Sequence, residues 1–356
     1  MSTHFTIVHR SATDFLDAAY PALHAREREA NTILPYALKA RSDEGNGARV
    51  VGDASVRAWW AKYSPSRSSV QTPPRFWITC WSKTSQGPVL DFALSCTEGP
   101  LGTYPLFFFS TRDDRDITTP YLSPRLSQLA CQLKDCAPPQ RAFSIFGPEQ
   151  VIREFVAHWS ALTGFIPMPN EYYAAHLSFC TRETLTPPAK PLPSGHIMRL
   201  AQDRDAQRAA ILCGEFASDS PFPLDSIRSL AHARDMIRKQ QLWVYECYVP
   251  TGEREIATIV AVTRNTEESA TITKVYTSPS WRGNGCAERL VRHVTDHLLH
   301  MGGKTSVALY VAYPEENMAA NVVYHRVGFV GLCGNSHPRV SRWLEVGFAG
   351  TDNGHW

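Results

Sequence analysis

Residues 282–287 read Arg282-Gly283-Asn284-Gly285-Cys286-Ala287. They follow an alternating run, Thr271-Ile-Thr-Lys-Val-Tyr-Thr277, and lead directly into a helix-forming segment from Glu288 to His300. A strand that ends in a glycine-rich turn and opens into a helix can hold a pyrophosphate. Small residues let the backbone approach the anion, and the first-turn N–H groups, unbonded within the helix, face it together with the positive end of the dipole. A second chemistry-bearing segment follows: Asn317-Met-Ala-Ala320-Asn-Val-Val-Tyr324-His-Arg-Val-Gly328-Phe329. Asn317 and Tyr324 stand two helical turns apart, a spacing that puts both on one helix face.

Together the two segments resemble the motif pair of the GCN5-related N-acetyltransferases, the GNAT superfamily. The first matches Arg-x-x-Gly-x-Ala and the second Asn-x-x-Ala-x-x-x-Tyr-x-x-x-Gly-Phe. The resemblance implies an acyl-CoA co-substrate, acetyl-CoA or another acyl form. It implies that the backbone of Val275, Tyr276 and Thr277 pairs with the pantetheine amides. Arg282, Gly283, Asn284, Gly285, Cys286 and Ala287 would wrap the pyrophosphate, and Asn317 would touch the cofactor arm. Tyr324 would protonate the departing thiolate; an ordinary phenol pKa of about 10 keeps it loaded at neutral pH. Cys286 occupies a position the family leaves variable, so no catalytic thiol is expected there. Many relatives carry a glutamate on the strand before the loop, whereas 271–277 holds Thr271, Thr273 and Lys274 but no acid. Glu215, Asp219 and Glu246 are the other acids that could line the cleft. Glu246 sits in the otherwise apolar run 242–249 and is the candidate general base, weighed against an outward place on an edge strand.

The elements needed to position these groups are legible in the C-terminal half. Strands are expected at 196–200, 242–249, 255–263, 270–277, 305–311, 329–332 and 340–348, with helices at 203–218, 224–240, 288–300 and 317–326. This β-α-α-β-β-β-α-β-α-β-β order is that of a GNAT domain. The N-terminal half repeats it more weakly, with strands at 76–82, 89–96, 104–110 and 141–146 and helices at 123–133 and 149–162. At the equivalent phosphate-loop position it has Thr118-Thr-Pro-Tyr-Leu-Ser123, without glycine. Between the halves, Thr184-Leu-Thr-Pro-Pro-Ala-Lys-Pro-Leu-Pro-Ser-Gly195 is proline-rich and reads as an extended linker. The expected organisation is α/β (α+β), two GNAT-like domains, each a mixed, mostly antiparallel twisted sheet flanked by helices. Residues 1–183 form a degenerate domain, 184–195 the linker and 196–356 the acyl-CoA-binding domain.

Composition narrows the function class. Net charge is +2, with 36 basic against 34 acidic residues and no basic tract, so no nucleic-acid partner is expected. No apolar run reaches the ~18 residues of a membrane span, and the first ten residues lack a signal-peptide core. Nine cysteines without a Cys-x-x-Cys pair suit a reducing cytoplasm. His293, His297 and His300 have a spacing that could hold a metal, but they fall beside the apolar stripe Leu290, Val291, Val294 and Leu298. A solvated helix flank and no metal are expected. The resulting expectation is an acyl-CoA-dependent N-acetyltransferase, monomer or homodimer, acting on a small-molecule amine by direct attack in a ternary complex. The alternatives are a catalytically silent CoA-binding or regulatory protein and an O-acyltransferase on a small metabolite.

Overall fold

The structure is a computed structural model that describes residues 4–45, 75–99, 101–218, 220–248, 252, 254–352 and 354–355. Its contacts divide the chain into two compact units: residues 1–174 with 341–356, and residues 175–340.

In the first unit, β1 (His4–His9) leads to helices α1 (Ala12–His24) and α2 (Leu34–Gly45), then to β2 (Phe76–Thr84), β3 (Gly87–Cys96) and β4 (Leu106–Ser110). Helix α3 (Thr119–Cys136) crosses to β5 (Ser144–Pro148), and α4 (Glu149–Thr163) follows. In the second unit β7 (Ile197–Leu200) leads to α5 (Ala206–Ala217), α6 (Ser226–Arg238), β8 (Leu242–Tyr248), β9 (Arg254–Asn265) and β10 (Ser269–Thr277). Helix α7 (Cys286–His300) crosses to β11 (Ser306–Ala312), and α8 (Pro314–Val327) follows. The pairings repeat as well. In each unit the first four strands pair antiparallel in sequence order and the fourth pairs parallel with the fifth. The parallel step needs a crossover, and α3 and α7 supply it.

The sixth strand of each unit comes from the other half of the chain. Strand β6 (Tyr173–Cys180) follows α4 in sequence but pairs antiparallel with β11, Val307 opposite Cys180. Strand β12 (Ser341–Gly347) follows α8 but pairs antiparallel with β5, Leu344 opposite Gly147. The segment 329–332, read from sequence as a strand, is coil, because β6 occupies the edge it would need. Of that segment, the Val330 N–H donates to the Phe179 carbonyl (3.0 Å).

The proline-rich stretch lies inside the second unit, so the compact units divide elsewhere than at 184–195. Its first residues are bonded down rather than free. The Thr186 N–H donates to Val327 O (3.0 Å), and Arg292 Nη1 donates to Thr186 O (2.7 Å). Gly328, at φ +114°, passes so close that a Cβ there would lie 2.0 Å from the Thr184 carbonyl oxygen.

The first unit buries Phe76, Ile78, Phe92, Leu94, Phe108, Phe155 and Trp159 in one core beneath α3 and α4. In the second, α7 lays Leu290, Val291 and Val294 against Val260, Val262 and Leu309. On the opposite face α5 and α6 lay Leu212, Cys213 and Met236 against Val244, Ile259 and Ala261. The segment before α3 carries Asp113, Asp114 and Asp116, has no glycine, and is tied by Arg26 Nη2 to Asp113 (2.5 Å). A pyrophosphate there would meet carboxylates where the second unit offers glycine backbone.

Glu345 on β12 is 2% exposed and accepts a hydrogen bond from Ser144 Oγ (2.7 Å). Burial pushes its carboxyl from an ordinary 4.5 up to about 7. Between those pH values the fold holds a proton that the unfolded chain has lost. This group's stability contribution is therefore complete below pH 4.5 and is lost as pH climbs through 7, on the order of 3 kcal/mol in all. Glu345→Gln should leave the melting midpoint near the wild-type value at pH 5 and raise it relative to wild type at pH 8. Equal differences at the two pH values would refute the assignment.

Candidate active site

Strands β10 and β11 pair from Ser269/Ser306 to Ile272/Leu309 and then separate. Strand β10 continues to Thr277 on its β9 side, Thr277 opposite Thr258, but residues 273–277 have no strand on the other side. The divergence has a local cause: the β9–β10 register shifts at Thr273 of β10 and again at Thr263 of β9, and such bulges bend a strand and increase its twist. The result is a wedge bordered by the edge of β10 at Val275, Tyr276 and Thr277, which β11 does not pair; the Thr277 carbonyl accepts from Arg282 Nε (3.3 Å). Val275 packs into the core under α7, whereas Tyr276 packs toward α5.

Beyond β10 the chain makes a tight turn at 279–281 and reaches the glycine loop. Gly283 and Gly285 have φ of +80° and +72°, a conformation that a side chain makes costly. Gly285 is the N-cap of α7 and has no side chain to bond the first-turn N–H groups. The loop is braced by its own residues. Arg289 Nη1 donates to Asn284 O (2.8 Å), Asn284 Nδ2 donates to Trp281 O (3.3 Å), and Trp281 Nε1 donates to Glu255 (3.0 Å). Arg282 is exposed; its Nη2 donates to the Tyr276 hydroxyl (3.2 Å). Cys286 is 2% exposed and points into the core, so it offers the loop only backbone. Ala287 follows it in the helix's first turn.

Asn317 departs from the sequence expectation. At φ −149°, ψ 68° it breaks α8 instead of lying on a helix face with Tyr324, and its Oδ1 accepts from Ala320 N (3.0 Å) as a cap for the turns that follow. A residue missed from sequence completes this corner: Asn321, fully buried, donates to Ala312 O and Asn317 O, each at 2.9 Å. Its signal was an amide in mid-helix between apolar neighbours, where such a residue needs a partner.

Tyr324 lies half-buried on the apolar cluster that also holds Val275, its ring 5.9 Å from Phe329. Burial raises its phenol well above the ordinary value, and its hydroxyl has no hydrogen-bond partner among the described residues.

Glu246 is not placed to act as a base. It is 4% exposed, and its carboxylate accepts from Arg199 Nε (2.9 Å) and Nη2 and from Arg254 Nη1 (2.8 Å), while Arg199 also binds Asp205. These guanidiniums hold its carboxyl below the usual range despite burial. Its lone pairs are committed to a structural ion network, a placement that depends on β7 and that the run 242–249 alone does not reveal. Asp219 lies outside the described residues. His293 and His297 are half-buried, both rings packing on the Trp243 indole at 5.5 and 4.9 Å, whereas His300 is exposed.

Residues 214–329, which span the wedge, the glycine loop and Tyr324, match the model of the Acetyltransferase (GNAT) family. The second unit is a GNAT domain. Solved structures resemble the whole chain at low identity. A Drosophila protein aligns over 97% of this chain and 99% of its own at 10% identity, with a TM-score of 0.54. A GCN5-related N-acetyltransferase from Sphaerobacter thermophilus covers 96% and 94% at 15% identity, TM-score 0.49. A tandem GNAT protein from the clavulanic acid biosynthesis pathway covers 85% and 97% at 15% identity, TM-score 0.41. No curated protein matches the chain. Among the described residues, no helix is long and apolar enough to cross a membrane. The GNAT domain's family assignment makes the protein an acyltransferase.

Proposed function

We propose that the GNAT domain binds acetyl-CoA and transfers the acetyl group to the amine of a small molecule, in one step within a ternary complex. The observation that carries this reading is the wedge between β10 and β11, open beside a glycine loop and flanked by a phenol without a partner among the described residues. The open edge of β10 at 275–277 faces the pantetheine arm, and 282–287 offer backbone N–H groups and the α7 dipole for the pyrophosphate. The amine nitrogen attacks the thioester carbonyl; the C–N bond forms and the C–S bond breaks. Of the two protons an ammonium acceptor loses, one ends on the CoA sulfur by way of Tyr324 and the other in solvent. Asn317 orders the chain at the wedge's far side. The first unit, with three aspartates in place of the glycine loop, acts as scaffold.

The test is amine-dependent release of CoA thiol from acetyl-CoA, with the N-acetyl product identified by mass. Release with alcohols and not amines would replace the N-acyl reading with O-acyl transfer. Cofactor binding without release to any acceptor would favour a silent CoA-binding protein.

A further inference from the structure

Lys274 faces away from the Tyr324 side of β10. Its Nζ stands 4.2 Å from the centre of the Phe216 ring on α5, and it forms no ion pair among the described residues. Burial depresses its pKa, and the nearby Arg264 adds to this. Burial raises the Tyr276 phenol, and Glu215, one residue before Phe216, adds to this by its charge and a hydrogen bond, while Glu215 Oε2 is buried without a hydrogen-bond partner among the described residues. Phe216 is itself 37% exposed, with its edge toward Tyr276 at 6.5 Å. Two neighbouring residues of α5 and two alternate residues of β10 thus form one patch, with a cation and an anion that do not satisfy each other. Desolvated charges left open in this way are costly to the fold and suit a ligand that supplies their partners.

Given the acyltransferase reading, on which this rests, the thioester lies along 275–277. The patch is then the opposite side of the same strand from the proton donor. We propose that the acceptor is an amino carboxylate, with its carboxylate on Lys274, its ammonium on Glu215 and its apolar part over Phe216. Lys274 is a specificity-determining residue in this assignment, and Glu215 receives the first proton from the acceptor nitrogen and passes it to solvent.

The experiment compares amino acids, each beside its carboxamide and its decarboxylated amine, as acceptors for acetyl-CoA. Wild type should favour the free carboxylate by tenfold or more in kcat/KM. Lys274→Met, with Lys274→Gln as a second variant in case the first fails to fold, should erase that preference. It should do so by raising KM for the amino acid, leaving the decarboxylated amine and the KM for acetyl-CoA unchanged. Equal use of the three acceptor forms by wild type overturns the proposal and leaves the acyltransferase reading intact. A raised KM for acetyl-CoA in both Lys274 variants also overturns it, since Lys274 would then serve the cofactor. Absence of transfer to every acceptor brings down both readings. A thermal shift with acetyl-CoA in the same samples then tells a lost acceptor site from a lost cofactor site.

Discussion

Tyr324→Phe should lower kcat by about two orders of magnitude, the usual scale for removing a general acid, and leave acetyl-CoA affinity and the melting midpoint close to wild type. The reasoning is local. The hydroxyl has no partner among the described residues, so removing it breaks no internal hydrogen bond, and the ring keeps its contact with Phe329 and the cluster around Val275. Its raised pKa keeps the phenol protonated across the working range, so the oxygen's contribution is confined to the moment when the sulfur collects charge. A drop in kcat with unchanged cofactor KM is the signature of an interaction made only in the transition state. If kcat is unaffected, Tyr324 is packing alone and another group protonates the thiolate.

The second large effect concerns the loop. Acetyl-CoA at a hundred times its dissociation constant should stabilise the wild-type fold by about 2.7 kcal/mol, and Gly285→Glu should abolish that stabilisation. A Cβ at Gly285 meets only the tip of Arg289, at 2.9 Å, and the flexible guanidinium can move aside at the cost of its bond to the Asn284 carbonyl. The remaining structural cost is the left-handed φ of +72°, about 1–2 kcal/mol. Gly285→Ala carries the same backbone cost without the charge and is the control. The carboxylate would sit at the positive end of α7 where the phosphates belong, so it competes for the same N–H groups. Retained stabilisation by acetyl-CoA in Gly285→Glu would move the pyrophosphate away from 282–287.

What could be read from sequence was whatever a short stretch of chain determines. Gly283 and Gly285 between an alternating run and a helix specify strand, turn and helix wherever they fall, and the structure has that order. The early helices and β1 escaped notice: α1 contains Pro21, and α2 has only a weak apolar stripe. Glu246 looked available because its partners Arg199 and Arg254 come from other strands, and no local pattern announces them. Asn317 looked helical because its neighbours are, while its capping bond to Ala320 depends on a break the spacing does not show. The strand at 329–332 was expected for the same reason. Only the arrival of β6, from far earlier in the chain, denies it an edge to pair with.

The exchange of β6 and β12 bears on how the chain can be made. During synthesis the first unit emerges nearly whole, yet the strand that covers β5 is made only after almost all of the second unit. Until then β5 presents the bare backbone of Ser144, Ile145 and Phe146, an edge open to any passing strand. The second unit is under no such delay, because β6 leaves the ribosome before β11 exists to receive it. Folding is therefore completed out of order, with the half that carries the glycine loop able to close first and the older half waiting for the youngest residues.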